Sequence, residues 1–249
     1  MATGHAAAQL RETGIALLRG YFPVEALASL HAAADRCFEA VAAGAALPEG
    51  YRFNVYSHSV LLRALTDFGL GSLDDLLAPV KLPGLGDLFT EALGGGWQCN
   101  PEQSWVRKKF APCHTAGTGS RRQNWHQDGA LGVRFPLEPV ANVAMTELVT
   151  CWIPLAACGV DSPGLEFILG RQPGLLHFTE LEDAALRQRF SARQFWVPEL
   201  ELGDGLIFLN SVLHRTHERP EMSRNRMSLE YRVFPADTER GETAFSARS

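Results

Sequence analysis

The sequence predicts a mainly β fold, an antiparallel sandwich or barrel buttressed by helices at its N-terminal end. Three observations predict it. After Gly96 the chain breaks into short apolar or alternating segments divided by Gly, Pro and polar turns. Before Gly96 the spacing is largely helical. No low-complexity linker and no internal repeat separates the two textures, and 249 residues at 46% hydrophobic suffice for one sizeable core. The expectation is one domain over 1–249, with 1–95 a mostly helical buttress, 96–236 the β-barrel core and 237–249 a tail.

The elements follow in order. "AAAQLRETG" is helical and stops at Gly14, and "IALLRGYF" reads as a short strand. In "PVEALASLHAAADRCFEAVAAG", Pro23 stands near a helix start, and Leu27, Leu30, Ala34 and Phe38 keep helical spacing. Residues 47–75 are mixed. "SLDDLLAPV" and "GLGDLFTEALGG" are two short helices, with Ser72 the N-cap of the first. The strands are then "QSWVRKKF", "QNWHQD", "ELVTCWIPL", "GLEFIL", "RQFWVPEL", "DGLIFL" and "RMSLEYRVF", with a helical insertion at 177–192.

Composition excludes several function classes. The net charge is −5 and no basic stripe dominates, which argues against nucleic acid as a partner. Five scattered cysteines with no CxxC favour neither a zinc knuckle nor a disulfide framework, and fit a reducing cytoplasm. "MATGHAAAQLRETG" lacks a basic segment followed by an apolar one, and no apolar run is long enough for a membrane span. The expected partner is a small-molecule substrate, with no membrane and no nucleic acid. The oligomeric state is not legible.

"NWHQDGALGVRF" carries the chemistry. On an extended chain, side chains two apart share a face, so His126 and Asp128 aim at one point while Gln127 points away. Imidazole plus carboxylate is borderline-hard ligation. Two histidines, one carboxylate and open positions make the pattern of non-haem iron(II) oxygenases. The second histidine comes from "GDGLIFLNSVLHRTHERP". His214 and His217, three apart, would face opposite ways on a strand. His214 follows the apolar strand, whereas His217 stands beside Glu218, Arg219 and Pro220, so His214 is chosen. His31 reads as a surface or packing histidine, His58 has no obvious partner, and His114 and His177 are bystanders in loops.

"RNRMSLEYRVF" alternates, with Arg224, Arg226, Ser228, Glu230 and Arg232 on one face and Asn225, Met227, Leu229, Tyr231 and Val233 on the other. Two readings stand. Either the charged face of an edge strand is solvated, or Arg226 and Ser228 point inward and grip a carboxylate, to which the guanidinium fork is matched. Periodicity does not decide between them.

At this point the chain resembles the phytanoyl-CoA dioxygenase family of iron(II)- and 2-oxoglutarate-dependent oxygenases. Five segments in order carry the resemblance: "ETGIALLRGYFPVEALASL", "NWHQDGA", "TCWIPLAACGVDSPGLEFILG", "GDGLIFLNSVLHRTH" and "RNRMSLEYR". The resemblance implies a double-stranded β-helix, the jelly-roll or cupin-like barrel. It implies Fe(2+) on His126, Asp128 and His214, with O2 as co-reactant and 2-oxoglutarate as cosubstrate, its far carboxylate on Arg226. Ser228 completes an RxS pattern that favours Arg226 over its rival Arg224. Thr216 matches a hydroxyl position, and Trp152 an aromatic, near the cosubstrate. Trp105 or Arg107 is expected near it as well. Related halogenases replace the carboxylate with a small residue, so Asp128 argues for hydroxylation, or another oxidation, over halogenation.

The reaction so implied hydroxylates an unactivated C–H of a small metabolite or natural-product intermediate and yields succinate and CO2. The N-terminal helices, the segment 47–75 and the loops 111–123 and 129–142 would form the lid and substrate pocket, and Arg121 and Arg122 beside it either hold an anionic substrate or belong to a solvated loop. The alternatives are a metal-dependent cupin-like enzyme that does not use 2-oxoglutarate, and a catalytically silent binding protein on the same scaffold.

Overall fold

A computed structural model describes residues 2–70, 72–115, 124–135, 138–140 and 143–238. The chain runs α1 (Ala2–Thr13), β1 (Ile15–Leu18), α2 (Val24–Ala42), the hairpin β2 (Arg52–Asn54) and β3 (Ser57–Leu61), α3 (Leu73–Leu77), α4 (Leu85–Leu93), β4 (Trp97–Cys99), β5 (Trp105–Lys109) and β6 (Val149–Pro154). It continues through β7 (Gly164–Ile168), α5 (Asp183–Arg189), β8 (Phe195–Trp196), β9 (Gly205–Leu209), β10 (Leu213–His217) and β11 (Arg226–Pro235).

Local chemistry accounts for the helix boundaries. Gly14 ends α1 at φ 79°, a left-handed conformation open to glycine. The stripe Leu27, Leu30, Ala34 and Phe38 of α2 is buried. Ser72 caps α3 by accepting a hydrogen bond from the Asp75 amide.

Two antiparallel sheets build a jelly-roll. The large sheet has the order β1-β9-β6-β11-β5-β3-β2, with β4 pairing the far end of β11, and the small sheet has the order β10-β7-β8. β11 is therefore central, flanked by β5 along 226–230 and by β6 along 228–233. This removes the edge-strand reading. Met227, Leu229, Tyr231 and Val233 are buried in one core with Leu27, Leu76, Leu85 and Phe89 of the helices. The Tyr231 hydroxyl donates to the Leu76 carbonyl at 2.7 Å. A core with helices on one face of β11 forces Arg226, Ser228, Glu230 and Arg232 onto the other face, into the space between the sheets.

The structure refines the sequence expectation in several places. β1, β2 and β3 come from the first 95 residues yet belong to the large sheet. The mixed segment after residue 47 holds the β2–β3 hairpin and a 3-10 helix, Leu62–Phe68. The strand expected at "QNWHQD" is a single bridge, His126 with His214, because the chain turns into a 3-10 helix at Asp128–Ala130. The strand expected at "RQFWVPEL" shortens to two residues, β8, and its end continues as the isolated bridge Cys158 with Leu200. The insertion expected at 177–192 holds α5. No helix among the described residues is long and apolar enough to cross a membrane.

Candidate metal centre

The segment bearing His126 and Asp128 is clamped on its opposite face. Trp125 is buried in a small core with Ile168, Leu176, Leu186 and Leu213. Its indole lies 4.4 Å under the Arg215 guanidinium and donates to Asp183 at 3.1 Å. Gln127 is buried and donates to the Gly174 and Ser211 carbonyls at 3.1 and 3.0 Å, while accepting from the Leu176 amide at 2.8 Å. The backbone amides and carbonyls of His126 and His214 exchange two 3.0 Å hydrogen bonds. Gly129 follows because the chain comes close here: a Cβ would stand 2.9 Å from Met145 Cβ and 3.1 Å from the Asn210 carbonyl.

With Trp125 and Gln127 outward, His126 and Asp128 face His214, and the ligating atoms of the three lie within 4.8 Å of one another. Nδ1 of His126 donates to the Asn124 carbonyl at 3.0 Å, and Nδ1 of His214 to the Val212 carbonyl at 3.1 Å. A carbonyl only accepts, so each Nδ1 carries the proton and each Nε2 offers its lone pair. Asp128 Oδ2 accepts from Thr150 at 2.5 Å, and Oδ1 from Arg232 at 3.1 Å. Burial alone would raise the Asp128 carboxyl, but Arg232, His214 and His126 outweigh it and hold it well below the usual range. Burial, then the neighbouring His126, lowers His214 to about 4. At neutral pH Asp128 and His214 are already in their metal-binding forms.

A narrow cavity beside the triad is lined by His126, His214, Trp152, Thr216, Arg226 and Arg232, among others. Among the described residues, the charges in and beside it are matched except at one end. Arg107 is bidentate to Glu230 at 2.9 and 3.3 Å, and Lys109 pairs with Glu218 at 3.0 Å. Burial would raise Glu230, but Arg107 and Arg232 bring it down to about 2. Arg226, only 2% exposed, forms no ion pair among the described residues. It donates to the Gly164 carbonyl at 3.3 Å and lies 5.2 Å over the Trp152 ring. Burial lowers it to about 10. Among the described residues, Arg226 Nε, Ser228 Oγ, Trp152 Nε1 and Arg232 Nη1 are all buried without a hydrogen-bond partner. A buried guanidinium without a counter-ion costs several kcal/mol, so this wall is a cradle for an anionic oxygen ligand.

Of the expected site residues, Thr216, Trp152 and Arg226 line this cavity and Ser228 lies on the same face of β11. Arg224 is exposed. Trp105 lines a larger cleft outside and is not brought into the cavity, whereas Arg107 borders both. Among the bystanders, His58 Nδ1 meets the Tyr51 hydroxyl at 2.8 Å, His114 meets Asn225 at 2.7 Å, and His177 caps a 3-10 helix. Arg121 and Arg122 lie outside the described residues. Sequence reasoning missed Thr150 and Arg232 as partners of Asp128. Their signal was the two-residue alternation, which puts Thr150 with Trp152 on β6 and Arg232 with Arg226 on β11.

A model of the family described as phytanoyl-CoA dioxygenase (PhyH) matches residues 10–225. No curated protein sequence matches the chain. Among solved structures, the chain is similar to the non-haem α-ketoglutarate-dependent epimerase SnoN from nogalamycin biosynthesis (17% identity, TM-score 0.63, 94% of this chain and 84% of that one). It is similar to the carbocyclase SnoK from the same biosynthesis (17%, TM-score 0.64, 95% and 87%). It is also similar to EctD from S. alaskensis with 2-oxoglutarate and 5-hydroxyectoine (17%, TM-score 0.63, 93% and 75%). At these identities the likeness is one of fold.

Proposed function

Because the chain belongs to the phytanoyl-CoA dioxygenase family, we propose that it is an iron(II)- and 2-oxoglutarate-dependent dioxygenase that hydroxylates an unactivated C–H of a small metabolite or natural-product intermediate, with succinate and CO2 as co-products. His126, Asp128 and His214 hold the iron. Arg226 and Ser228 hold the far carboxylate of 2-oxoglutarate, and Trp152 and Thr216 flank it. Bound iron with 2-oxoglutarate supplies the activation of dioxygen. A cytoplasmic setting suits the five unpaired thiols.

One observation carries the reading: Arg226 is a buried cation without an ion-pair partner among the described residues, in the same cavity as His126 and His214. The donor set fits a divalent iron, and the four unpartnered polar atoms along Trp152, Arg226, Ser228 and Arg232 fit a dicarboxylate. The protein's own part is orientation. Carbonyls fix both histidine tautomers, Thr150 and Arg232 fix the carboxylate, and the apolar Leu165 and Phe208 help to keep the cavity dry. A metal-dependent enzyme without 2-oxoglutarate, or a silent binding protein, would have no use for the unpaired Arg226.

The test is a product analysis under labelled dioxygen. Succinate release that needs iron and 2-oxoglutarate, with one labelled oxygen in the product, is the expected result. An epimerised or cyclised product without label, the chemistry named for SnoN and SnoK, would keep the cofactors and replace the reaction.

A further inference from the structure

The metal cavity shares Arg107, Glu230 and Arg232 as walls with a cleft of about 510 Å³, a volume suited to a small molecule. Its walls are mixed. Phe53 and Trp105 are aromatic, and Asn54, Ser57, Ser59 and Gln103 are polar without charge. The Arg52 guanidinium stands 4.6 Å from the Trp105 ring centroid and fixes the ring.

The charges around the cleft close on themselves. Glu102 pairs with Arg63 at 3.1 Å, Arg63 also holds Glu49, Glu230 lies on Arg107, and Arg232 lies on Asp128. With Arg52, the described residues set four cations (Arg52, Arg63, Arg107, Arg232) against four anions (Glu49, Glu102, Glu230, Asp128). Among the described residues, a charged ligand would thus lose its hydration without meeting an unmatched counter-ion. An acyl chain could pack on Phe53, Leu61, Trp105 and Leu131, but would also strip the facing polar side chains of water without replacing the hydrogen bonds.

We propose that this cleft is the substrate site and takes an uncharged polyhydroxylated ring compound, of the chemistry of a glycoside, rather than an acyl thioester or a charged metabolite. The ring's apolar face packs on Trp105 and Phe53, and its hydroxyls meet the neutral polar wall. The proposal rests on the oxygenase reading of the adjoining centre.

The experiment is calorimetric titration of the protein, with and without manganese(II) and 2-oxoglutarate, using three probes: phenyl β-D-glucoside, phenyl β-D-glucuronide and the octanoyl thioester of N-acetylcysteamine. The glucoside is expected to bind about tenfold more tightly than the other two, and Trp105→Ala to weaken it about tenfold. Equal or tighter binding of the glucuronide or the thioester overturns the proposal, as does absence of glucoside binding up to about 10 mM. Failure of the metal and 2-oxoglutarate to load would instead speak against the oxygenase reading, which the probe affinities of the unloaded protein leave separate.

Discussion

Arg232 donates from Nη2 to Oδ1 of Asp128 at 3.1 Å, and that same oxygen lies 3.8 Å from Nε2 of His214. A partly buried cation therefore sits on the carboxylate that would hold a divalent metal. In the metal-free protein Arg232 is the counter-ion of Asp128. Removing it by Arg232→Ala leaves the carboxylate uncompensated and is expected to cost about 3 kcal/mol. Manganese(II) supplies a replacement charge, so the rise in Tm on adding metal should be larger in the variant than in wild type. Thermal scans with and without metal check this, and an equal rise in both contradicts it.

Thr150 acts on the other oxygen of Asp128 without carrying charge. Thr150→Val keeps shape and loses the donor, so the carboxylate is free to turn. Metal affinity is expected to fall about tenfold, read by manganese(II) titration. An unchanged affinity would mean that β6 packing alone orients Asp128.

The metal-free protein should lose stability on acidification well before its carboxylates titrate. His214 is lowered from 6.5 to about 4 in the folded state. Between those values the unfolded chain binds a proton that the folded chain does not, so stability falls as pH falls, by up to about 3 kcal/mol. Asp128 and Glu230 are also lowered, and their contribution, present above the ordinary carboxylate range, is lost at still lower pH. Urea unfolding at about pH 7.5 and about pH 5 reads the first part. His214→Gln should flatten the profile, and an unchanged slope in that variant would refute the assignment.

Arg226 trades stability for binding. Replacing this unpaired buried cation by Arg226→Met removes its desolvation cost, so the free protein should gain about 1 kcal/mol while binding of 2-oxoglutarate is lost. Arg226→Lys keeps charge but loses the fork and should weaken 2-oxoglutarate more than tenfold. Denaturation midpoints and 2-oxoglutarate titrations check both. A destabilised Arg226→Met that still binds would show that the guanidinium holds the fold instead.

Much of this arrangement was legible in the sequence, and physics explains the rest. The two-residue alternation placed His126 with Asp128, and Arg226 with Ser228, on common faces. It left the direction of β11 open, because direction depends on what covers the far face, and only the fold brings Leu76 and Phe89 of the helices there. His214 was readable from the apolar strand before it. Thr150 was hidden because a threonine in an apolar strand resembles core until its partner is known. Trp105 was expected near the cosubstrate from strand sharing with Arg107, but of the two Arg107 borders the inner cavity while Trp105 lines the outer cleft.

The most direct test of the central claim is an anaerobic iron(II) titration in the presence of 2-oxoglutarate, following the visible metal-to-ligand charge-transfer band. The band should appear in the wild-type protein, vanish in His126→Ala and weaken strongly in Arg226→Ala. Bound iron with no band in the wild type, or a band indifferent to Arg226, would contradict the assignment of this cavity to 2-oxoglutarate.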